Sequence, residues 1–124
     1  MPIRWGDMDA YGHVNNTVYF RYMEQARVEW IEALEVKVRP GGEGPVIINA
    51  ACTFFVPMTY PGDVEVRTFV GKPGRSSVET YVEMRLIGDE TLYAQGSAKV
   101  VWMDTQTGKS VPIPAHVRDV IEAE

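Results

Sequence analysis

Eleven consecutive residues, Gly6 to Asn16, read GDMDAYGHVNN and combine two carboxylates, one imidazole and two carboxamides. A carboxylate can act as a general base or nucleophile, and the free N–H groups at the start of a helix can bind an oxyanion or polarise a carbonyl. Gly12 lets the backbone turn, and Asn15 or Asn16 stands where a helix N-cap is expected. A carboxylate beside such donors suits acyl-transfer chemistry.

The same residues also have a purely local interpretation. Aspartate and asparagine are common in turns and caps because their side chains hydrogen-bond to nearby backbone groups. On an extended segment Asp7 and Asp9 point to opposite sides, so they are not expected to share one task. A lone histidine in a loop, such as His13, is often structural. Asp7, Asp9 and His13 make a weak metal-binding pattern without a second ligand cluster, and no metal or other cofactor is expected.

The segment precedes the clearest helical pattern in the chain. Between Asn16 and Leu34, apolar residues recur at spacings of three and four with polar and charged residues between them, which predicts an amphipathic helix. Before it, Ile3 to Trp5 is a candidate for the end of a first strand. After it, the run PGGEGP, Pro40 to Pro45, is expected to interrupt regular structure.

Four segments rich in β-branched and aromatic residues follow, separated by the turn sequences YPGD, GKPGR and GDET. Short connections favour antiparallel hairpins between successive strands, which predicts a four-stranded meander. A short terminal helix or strand is predicted within PAHVRDVIEAE. One helix can cover one face of such a sheet, so we expect a single α+β domain over residues 1–124. The four strands are predicted at Val46–Val56, Asp63–Val70, Ser77–Ile87 and Leu92–Met103.

Composition and charge narrow the class of protein further. The chain is 45% hydrophobic and 23% charged, as in ordinary globular domains, and its net charge of −5 with scattered basic residues argues against nucleic-acid binding. Cys52 cannot form an internal disulfide and is expected to be a buried structural thiol. Neither a signal peptide nor a membrane span is evident, so a cytoplasmic location without a membrane partner is expected.

The stretch RWGDMDAYGHVNNTVYFRYMEQARVEW resembles the signature region of the 4-hydroxybenzoyl-CoA thioesterase family, whose bacterial members commonly carry D-x-D-x-x-G-H-V-N-N. The turns PGD at Pro61 and GRSS at Gly74 also resemble turns of that family, and the similarity covers nearly the whole chain. It implies a hot-dog fold, in which an antiparallel sheet wraps a long central helix. It also implies hydrolysis of an acyl-CoA thioester to a carboxylic acid and coenzyme A.

The resemblance assigns roles to individual residues. It implies that Asp9 is the catalytic carboxylate, acting as nucleophile or as general base toward water. Backbone N–H groups between Gly12 and Asn16 would polarise the thioester carbonyl, with Asn16 the best single candidate, and Asp7 would order the loop. The residues implied to contact substrate are His13, Asn15 and Tyr19 in the pocket, and Lys72, Arg75, Ser76 and Ser77 in the GKPGRSS loop near the coenzyme A phosphates.

Several alternatives stay open at this point. Tyr19 lies on the apolar stripe of the helix and could belong to the core, and the GKPGRSS loop could be an ordinary solvated hairpin tip. Glu24 is a second candidate for the catalytic carboxylate, because other hot-dog thioesterases place theirs on the helix. Members of the family join two protomers edge to edge around the site, which implies a homodimer or a tetramer made of two dimers.

Two other functions compete with thioester hydrolysis. Hot-dog hydratases and dehydratases resemble D-x-N-P-x-H, whereas here Asp9 is followed by AYGH and no Asn-Pro pair occurs. A non-catalytic acyl-CoA-binding module would lack the carboxylate that Asp9 supplies. An acyl carrier protein could replace coenzyme A as the thiol carrier, although the negative net charge makes an acidic partner less natural. The residues do not select an aliphatic or an aromatic acyl group.

Overall fold

The computed structural model describes residues 1–35 and 42–123. The long helix, the four strands and the terminal helix are confirmed, each with its ends within a few residues of those predicted. In chain order the elements are a 3₁₀ helix (Trp5–Asp7), α1 (Asn16–Ala33), β1 (Glu43–Phe54), β2 (Val64–Val70), β3 (Ser77–Leu86), β4 (Ala94–Asp104), β5 (Lys109–Ser110) and α2 (Ala115–Glu122). Within the described residues, neither α-helix is long and apolar enough to cross a membrane.

The strands form one antiparallel sheet in the order β1-β4-β3-β2, with β5 paired to β4. The predicted meander is therefore right for β2, β3 and β4 and wrong for β1, which pairs with β4 instead of β2. The connection from β1 to β2, residues 55–63, is long enough to span about 30 Å when extended. Three strand spacings amount to only about 14 Å, so this connection can carry the chain across to the opposite edge.

The predicted first strand at Ile3 to Trp5 is also wrong. Pro2 forms only an isolated bridge with Asp63, and the chain then closes into the 3₁₀ helix. The cause is local: Arg4 N–H donates to the Asp7 carboxylate over 3.0 Å, and Asp7 N–H donates back to the Arg4 carbonyl over 2.9 Å. Asp7 thus lies in a helical turn and not on an extended segment.

The run PGGEGP was expected to interrupt regular structure, but β1 begins within it at Glu43. Pro45 is tolerated because β1 is an edge strand, where a residue without an N–H can face away from the ladder. Pro40 and Gly41 lie outside the described residues.

Helix α1 covers one face of the sheet, and the core divides into two clusters along it. The first lies near the start of α1, where Tyr19, Tyr22 and Met23 pack with Met84 and other residues of the sheet. The second lies at the other end of the sheet, where Trp102 is surrounded by residues of the α1 terminus, of the segment before α2 and of α2 itself: Leu34, Ile113, Val117 and Ile121. The first cluster supports the loop that carries the polar motif.

Candidate active site

The polar motif forms a tight turn immediately before α1. Asp9 N–H donates to the His13 carbonyl and Gly12 N–H donates to the Asp9 carbonyl, each over 3.0 Å. Gly12 has a φ of +79°, a backbone conformation that glycine adopts without steric cost. The expected turn at Gly12 is thus confirmed, and it brings Asp9 and His13 next to the first residues of the helix.

The carboxylate of Asp9 lies on the exposed side of this turn and is held by two donors. Tyr11 N–H donates to Oδ1 over 2.9 Å, and Asn15 Nδ2 donates to Oδ2 over 3.1 Å. A carboxylate offers about four acceptor positions, so both oxygens keep capacity for a water molecule or another donor. Asp9 is therefore oriented by the chain and still accessible from solvent.

Asn15, not Asn16, is the N-cap of α1. Its Oδ1 accepts hydrogen bonds from Thr17 N–H over 2.9 Å and from the Thr17 hydroxyl over 2.6 Å. Asn16 is the first helical residue, in the turn whose backbone N–H groups lack intrahelical acceptors and carry the positive end of the helix dipole. The N-terminus of α1, beside the Asp9 carboxylate, is therefore surrounded by four residues of the motif: Gly12, His13, Asn15 and Asn16.

Asp7 has a different set of partners from Asp9. Its Oδ2 accepts the Tyr22 hydroxyl over 2.8 Å as well as Arg4 N–H, so it fastens the loop to the first core cluster. Burial, and then the hydrogen bond to Asp7, raise the pKa of Tyr22 well above its ordinary value. The two aspartates therefore have separate hydrogen-bond partners, although they do not alternate on an extended strand.

An open cleft of about 320 Å³ lies beside the helix start, lined by His13, Val14, Asn16, Tyr19 and the segment Phe54–Pro57. Three side chains of this segment form an apolar wall and are partly exposed: Phe54 by 41%, Phe55 by 52% and Val56 by 38%. Tyr19 contributes both to the apolar wall of the cleft and to the core. Its ring packs edge-on against Phe54 at 4.8 Å between centroids, while its hydroxyl accepts Met58 N–H over 3.2 Å inside the core.

The GKPGRSS loop lies at the opposite end of the sheet. Ser77 pairs with Val101 on β4, whereas Phe54, at the cleft, pairs with Ala94 at the other end of that strand. The separation along β4 is roughly 23 Å at the rise of an extended strand. Within one protomer, the loop therefore does not contact Asp9. This applies to all four of its predicted substrate-binding residues: Lys72, Arg75, Ser76 and Ser77.

The loop is not a free hairpin tip, because β4 and the terminal segment hold its backbone. Ile113 N–H donates to the Arg75 carbonyl over 2.9 Å, and Trp102 N–H donates to the Ser76 carbonyl over 2.8 Å. The guanidinium of Arg118 donates to the carbonyls of Gly74 and Arg75. The Lys72 and Arg75 residues remain exposed on this anchored loop.

Two other candidate groups lie away from the turn. Glu24 is exposed on α1, where it pairs with Arg21 at 3.4 Å, and the nine residues from the N-cap place it about 13 Å along the helix. Cys52 is half-buried beside the first core cluster, and burial raises its pKa to about 11. That environment supports a structural thiol. Within residues 1–35 and 42–123, no three His, Cys, Asp or Glu side chains lie close enough to hold a metal ion.

Sequence reasoning missed the cleft wall and the role of Thr17. The segment FFVP continues the apolar run beyond the end of β1, which is a signal that these side chains do not alternate between core and solvent. Thr17 lies two residues after the N-cap, where its hydroxyl reaches back to Asn15.

A long helix against an antiparallel sheet, with an oriented carboxylate at the helix N-terminus, is the arrangement of a hot-dog thioesterase. Residues 3–121 match the family model described as the Thioesterase-like superfamily. The chain belongs to this superfamily and is an enzyme of the thioester hydrolase class. The expected hot-dog fold is thereby confirmed.

Two solved structures and one curated protein illustrate the similarity. The PA2801 protein of Pseudomonas aeruginosa, a proposed thioesterase, is 39% identical with a TM-score of 0.92 over 98% of this chain and 94% of that one. BH1999, a gentisyl-coenzyme A thioesterase, is 25% identical with a TM-score of 0.83 over 98% and 96%. The chloroplastic acyl-acyl carrier protein thioesterase ATL2 of Arabidopsis thaliana is 27% identical over 95% of this chain, which spans 64% of that protein's length.

Proposed function

We propose that this enzyme hydrolyses an acyl-CoA thioester to a free carboxylic acid and coenzyme A, and that it belongs to the 4-hydroxybenzoyl-CoA thioesterase group within its superfamily. The observation that carries the proposal is the Asp9 carboxylate, held by Tyr11 N–H and Asn15 Nδ2 in an accessible turn at the N-terminus of α1. A base or nucleophile beside free backbone donors is what acyl transfer from a thioester requires.

In the general-base route, Asp9 takes a proton from water while the water oxygen bonds to the thioester carbonyl carbon. The carbonyl oxygen becomes an oxyanion, which the N–H groups of His13 and Asn16 stabilise. The other N–H groups of this stretch, those of Gly12, Val14 and Asn15, donate to carbonyl groups of the surrounding chain. Collapse of this intermediate breaks the C–S bond, and the thiolate of coenzyme A leaves and takes up a proton. In the nucleophilic route, an Asp9 oxygen itself bonds to the carbonyl carbon, and the C–S bond then breaks with release of the coenzyme A thiolate, which takes up a proton. Water hydrolyses the resulting mixed anhydride, which releases the carboxylic acid and restores the Asp9 carboxylate.

The substrate needs contacts that one protomer does not bring together. Strand β1 is an edge strand that carries exposed apolar residues, among them Ile48 with 54% of its surface exposed, and such an edge invites pairing. If two β1 edges pair antiparallel about a two-fold axis, the Phe54 end of one strand lies beside the Glu43 end of the other. The GKPGRSS loop of the partner then approaches the Asp9 end of this protomer.

This arrangement supports an active homodimer, either alone or as half of a tetramer. The partner's Lys72 and the partner's Arg75 would bind the phosphates of coenzyme A, because cations and N–H donors are the groups that hold phosphate oxygens. The Ser76 and Ser77 hydroxyls add donors on the same loop. In the cleft, His13, Asn16 and Tyr19 would face the acyl group with the apolar wall of Phe54, Phe55 and Val56.

An acyl carrier protein thioester is the second candidate substrate, since one similar protein is named for that activity. The net charge of −5 gives this chain little attraction for an acidic carrier protein, and coenzyme A is therefore preferred.

The test is thiol release from short-chain, long-chain and aromatic acyl-CoAs, followed with a chromogenic thiol reagent. Asp9→Asn removes the carboxylate, and we expect kcat to fall by about 10²- to 10⁴-fold. Asp104→Asn is the matched control, because Asp104 Oδ1 accepts Gln106 N–H over 2.9 Å as Asp9 accepts Tyr11 N–H, but Asp104 precedes the turn between β4 and β5 and not the N-terminus of α1. No release from any acyl-CoA, or full activity in Asp9→Asn, would contradict the proposal.

A further inference from the structure

We propose that Asn15 is a positioning residue that fixes the orientation of the Asp9 carboxylate through Thr17, and that it is not a contact to the substrate. The proposal rests on the proposed role of Asp9 and changes the role expected for Asn15. Its basis is a short chain of hydrogen bonds that runs from the first turn of α1 to the carboxylate.

The Asn15 carboxamide has only one orientation that satisfies its neighbours. Its Oδ1 receives two donors, Thr17 N–H at 2.9 Å and the Thr17 hydroxyl at 2.6 Å, which use both lone pairs of that oxygen. A flipped carboxamide would turn its NH₂ group toward the Thr17 N–H, a donor against a donor. The hydrogen-bond network therefore assigns Nδ2 to the other side, where it lies 3.1 Å from Asp9 Oδ2.

The Asp9 carboxylate is consequently held from two separate parts of the chain. Tyr11 N–H holds Oδ1 from within the turn, and Asn15 holds Oδ2 from the helix cap. The first contact alone would leave the carboxylate tied only to its own turn. The second fixes its plane relative to α1, whose N-terminal N–H groups would bind the carbonyl oxygen of the substrate. Catalytic groups must be held within about 0.5 Å of the productive geometry, so this contact should act on kcat.

The competing explanation is that Asn15 serves only as the cap of α1. Asn15→Asp and Asn15→Ser separate the two roles, because aspartate and serine cap helices about as well as asparagine. Aspartate loses the donor to Asp9 and places a second negative charge beside it, while serine is too short to reach Asp9. Asn15→Ala loses both the cap and the donor. The other titratable side chains of this loop are Asp7, Tyr11 and His13, which all three substitutions leave in place.

The experiment measures kcat, KM and the pH dependence of kcat/KM in the wild type and the three variants, with thermal unfolding of each. For Asn15→Ser we expect a wild-type melting temperature, a fall in kcat of about 10- to 100-fold and little change in KM. Asn15→Asp should show the same kinetic change with a lower melting temperature at neutral pH, because its two neighbouring carboxylates repel each other. In Asn15→Asp the acidic limb of the pH profile should move to higher pH, because a like charge disfavours the ionised carboxylate. Wild-type kcat and an unmoved acidic limb in Asn15→Asp would overturn the proposal.

A readout that does not need activity separates this proposal from the function of Asp9. Crystal structures of the wild type and Asn15→Ser report the orientation of the Asp9 carboxylate, which should keep its contact with Tyr11 N–H and rotate relative to α1 in the variant. An unchanged orientation overturns the positioning role whatever the enzyme hydrolyses. A changed orientation combined with full activity in Asp9→Asn keeps the contact between the two side chains and removes the proposed catalytic role of Asp9.

Discussion

The Tyr22 hydroxyl donates a hydrogen bond to Asp7 Oδ2 over 2.8 Å, and this contact joins the loop of the polar motif to the interior of α1. Tyr22 is only 7% exposed, so the bond lies at the boundary between the core and the loop. A hydrogen bond to a charged acceptor in such a position stabilises the fold more than one at the surface. It also holds the 3₁₀ helix in the geometry from which the Asp9 turn continues.

Tyr22→Phe should therefore lower the free energy of unfolding by about 1.5–3 kcal/mol at neutral pH. Tyr81→Phe, at an exposed tyrosine of β3, is the control and should change it little. Chemical denaturation of the three proteins measures the difference. Equal stability of wild type and Tyr22→Phe would show that the Asp7 contact contributes nothing to the fold.

The same tyrosine makes stability depend on pH in the alkaline range. Burial and the Asp7 hydrogen bond raise the pKa of Tyr22, so the folded state favours the protonated phenol. This contribution is fully present below the ordinary tyrosine pKa of about 10 and is lost as the pH rises from there through the raised value. Denaturation at pH 8 and pH 10.5 should show a smaller loss of stability in Tyr22→Phe than in the wild type. Burial also raises the pKa of Tyr19, so part of the loss should remain in that variant.

Gly12→Ala tests the turn that carries Asp9. A Cβ at Gly12 meets no atom within 4 Å, so the cost comes from the φ of +79° and should be about 1–2 kcal/mol of stability. Because the strain lies in the turn itself, we also expect thioesterase activity to fall. Gly108→Ala is the matched control, since Gly108 has a φ of +72° with the same open space but lies between β4 and β5. It should lose similar stability and keep its activity; an equal loss of activity in both variants would remove the special role of the Gly12 turn.

Much of the fold follows from local sequence patterns. The apolar spacing of α1 is regular because one helix face meets one sheet face, and the short turns between β2, β3 and β4 permit only hairpins. The position of β1 does not follow, because the connection to β2 is long enough to reach either edge of the sheet. Both β2 and β4 offer a free edge of the three-stranded unit, and the pairing of β1 with β4 depends on contacts made only in the folded chain, which no local pattern records.

The candidate site was predictable to a similar extent. Gly12 and the surrounding polar residues indicate the turn, but Asn15 and Asn16 are equally good caps by residue type, and only the reach of the Asn15 side chain to Thr17 N–H decides between them. The cleft is harder to predict from the sequence, because Tyr19 on α1 and Phe54 on β1 contact each other only in the folded chain.

Gly96→Ala tests the packing of α1 on the centre of the sheet. A Cβ at Gly96 would lie 2.7 Å from Met23 Sδ and 3.1 Å from the Ala51 carbonyl oxygen. The Met23 side chain on α1 therefore has to move, and the backbone of β1 has to shift slightly. We expect a loss of about 1–3 kcal/mol, measured by denaturation. Met23→Ala removes the main clash at the expense of a cavity, and the double variant should be more stable than the sum of the single losses predicts. Strict additivity would indicate that the two residues do not contact each other.

The last prediction concerns the exposed cations of the GKPGRSS loop. If the partner's Lys72 and the partner's Arg75 bind the coenzyme A phosphates, Lys72→Ala and Arg75→Gln should each raise KM about tenfold, which corresponds to about 1.4 kcal/mol, with little change in kcat. The loop backbone should persist in Arg75→Gln because Ile113 N–H binds the Arg75 carbonyl and not its side chain. Acyl-N-acetylcysteamine, a thioester without phosphates, is the control substrate and should show the same KM in both variants as in the wild type. An equal rise in KM for both substrates would place the effect in the structure of the loop.

Mixing Arg75→Gln with Asp9→Asn protein then tests whether the two groups act from different protomers. Exchanged dimers with one intact site should recover activity that neither variant has alone at low substrate concentration.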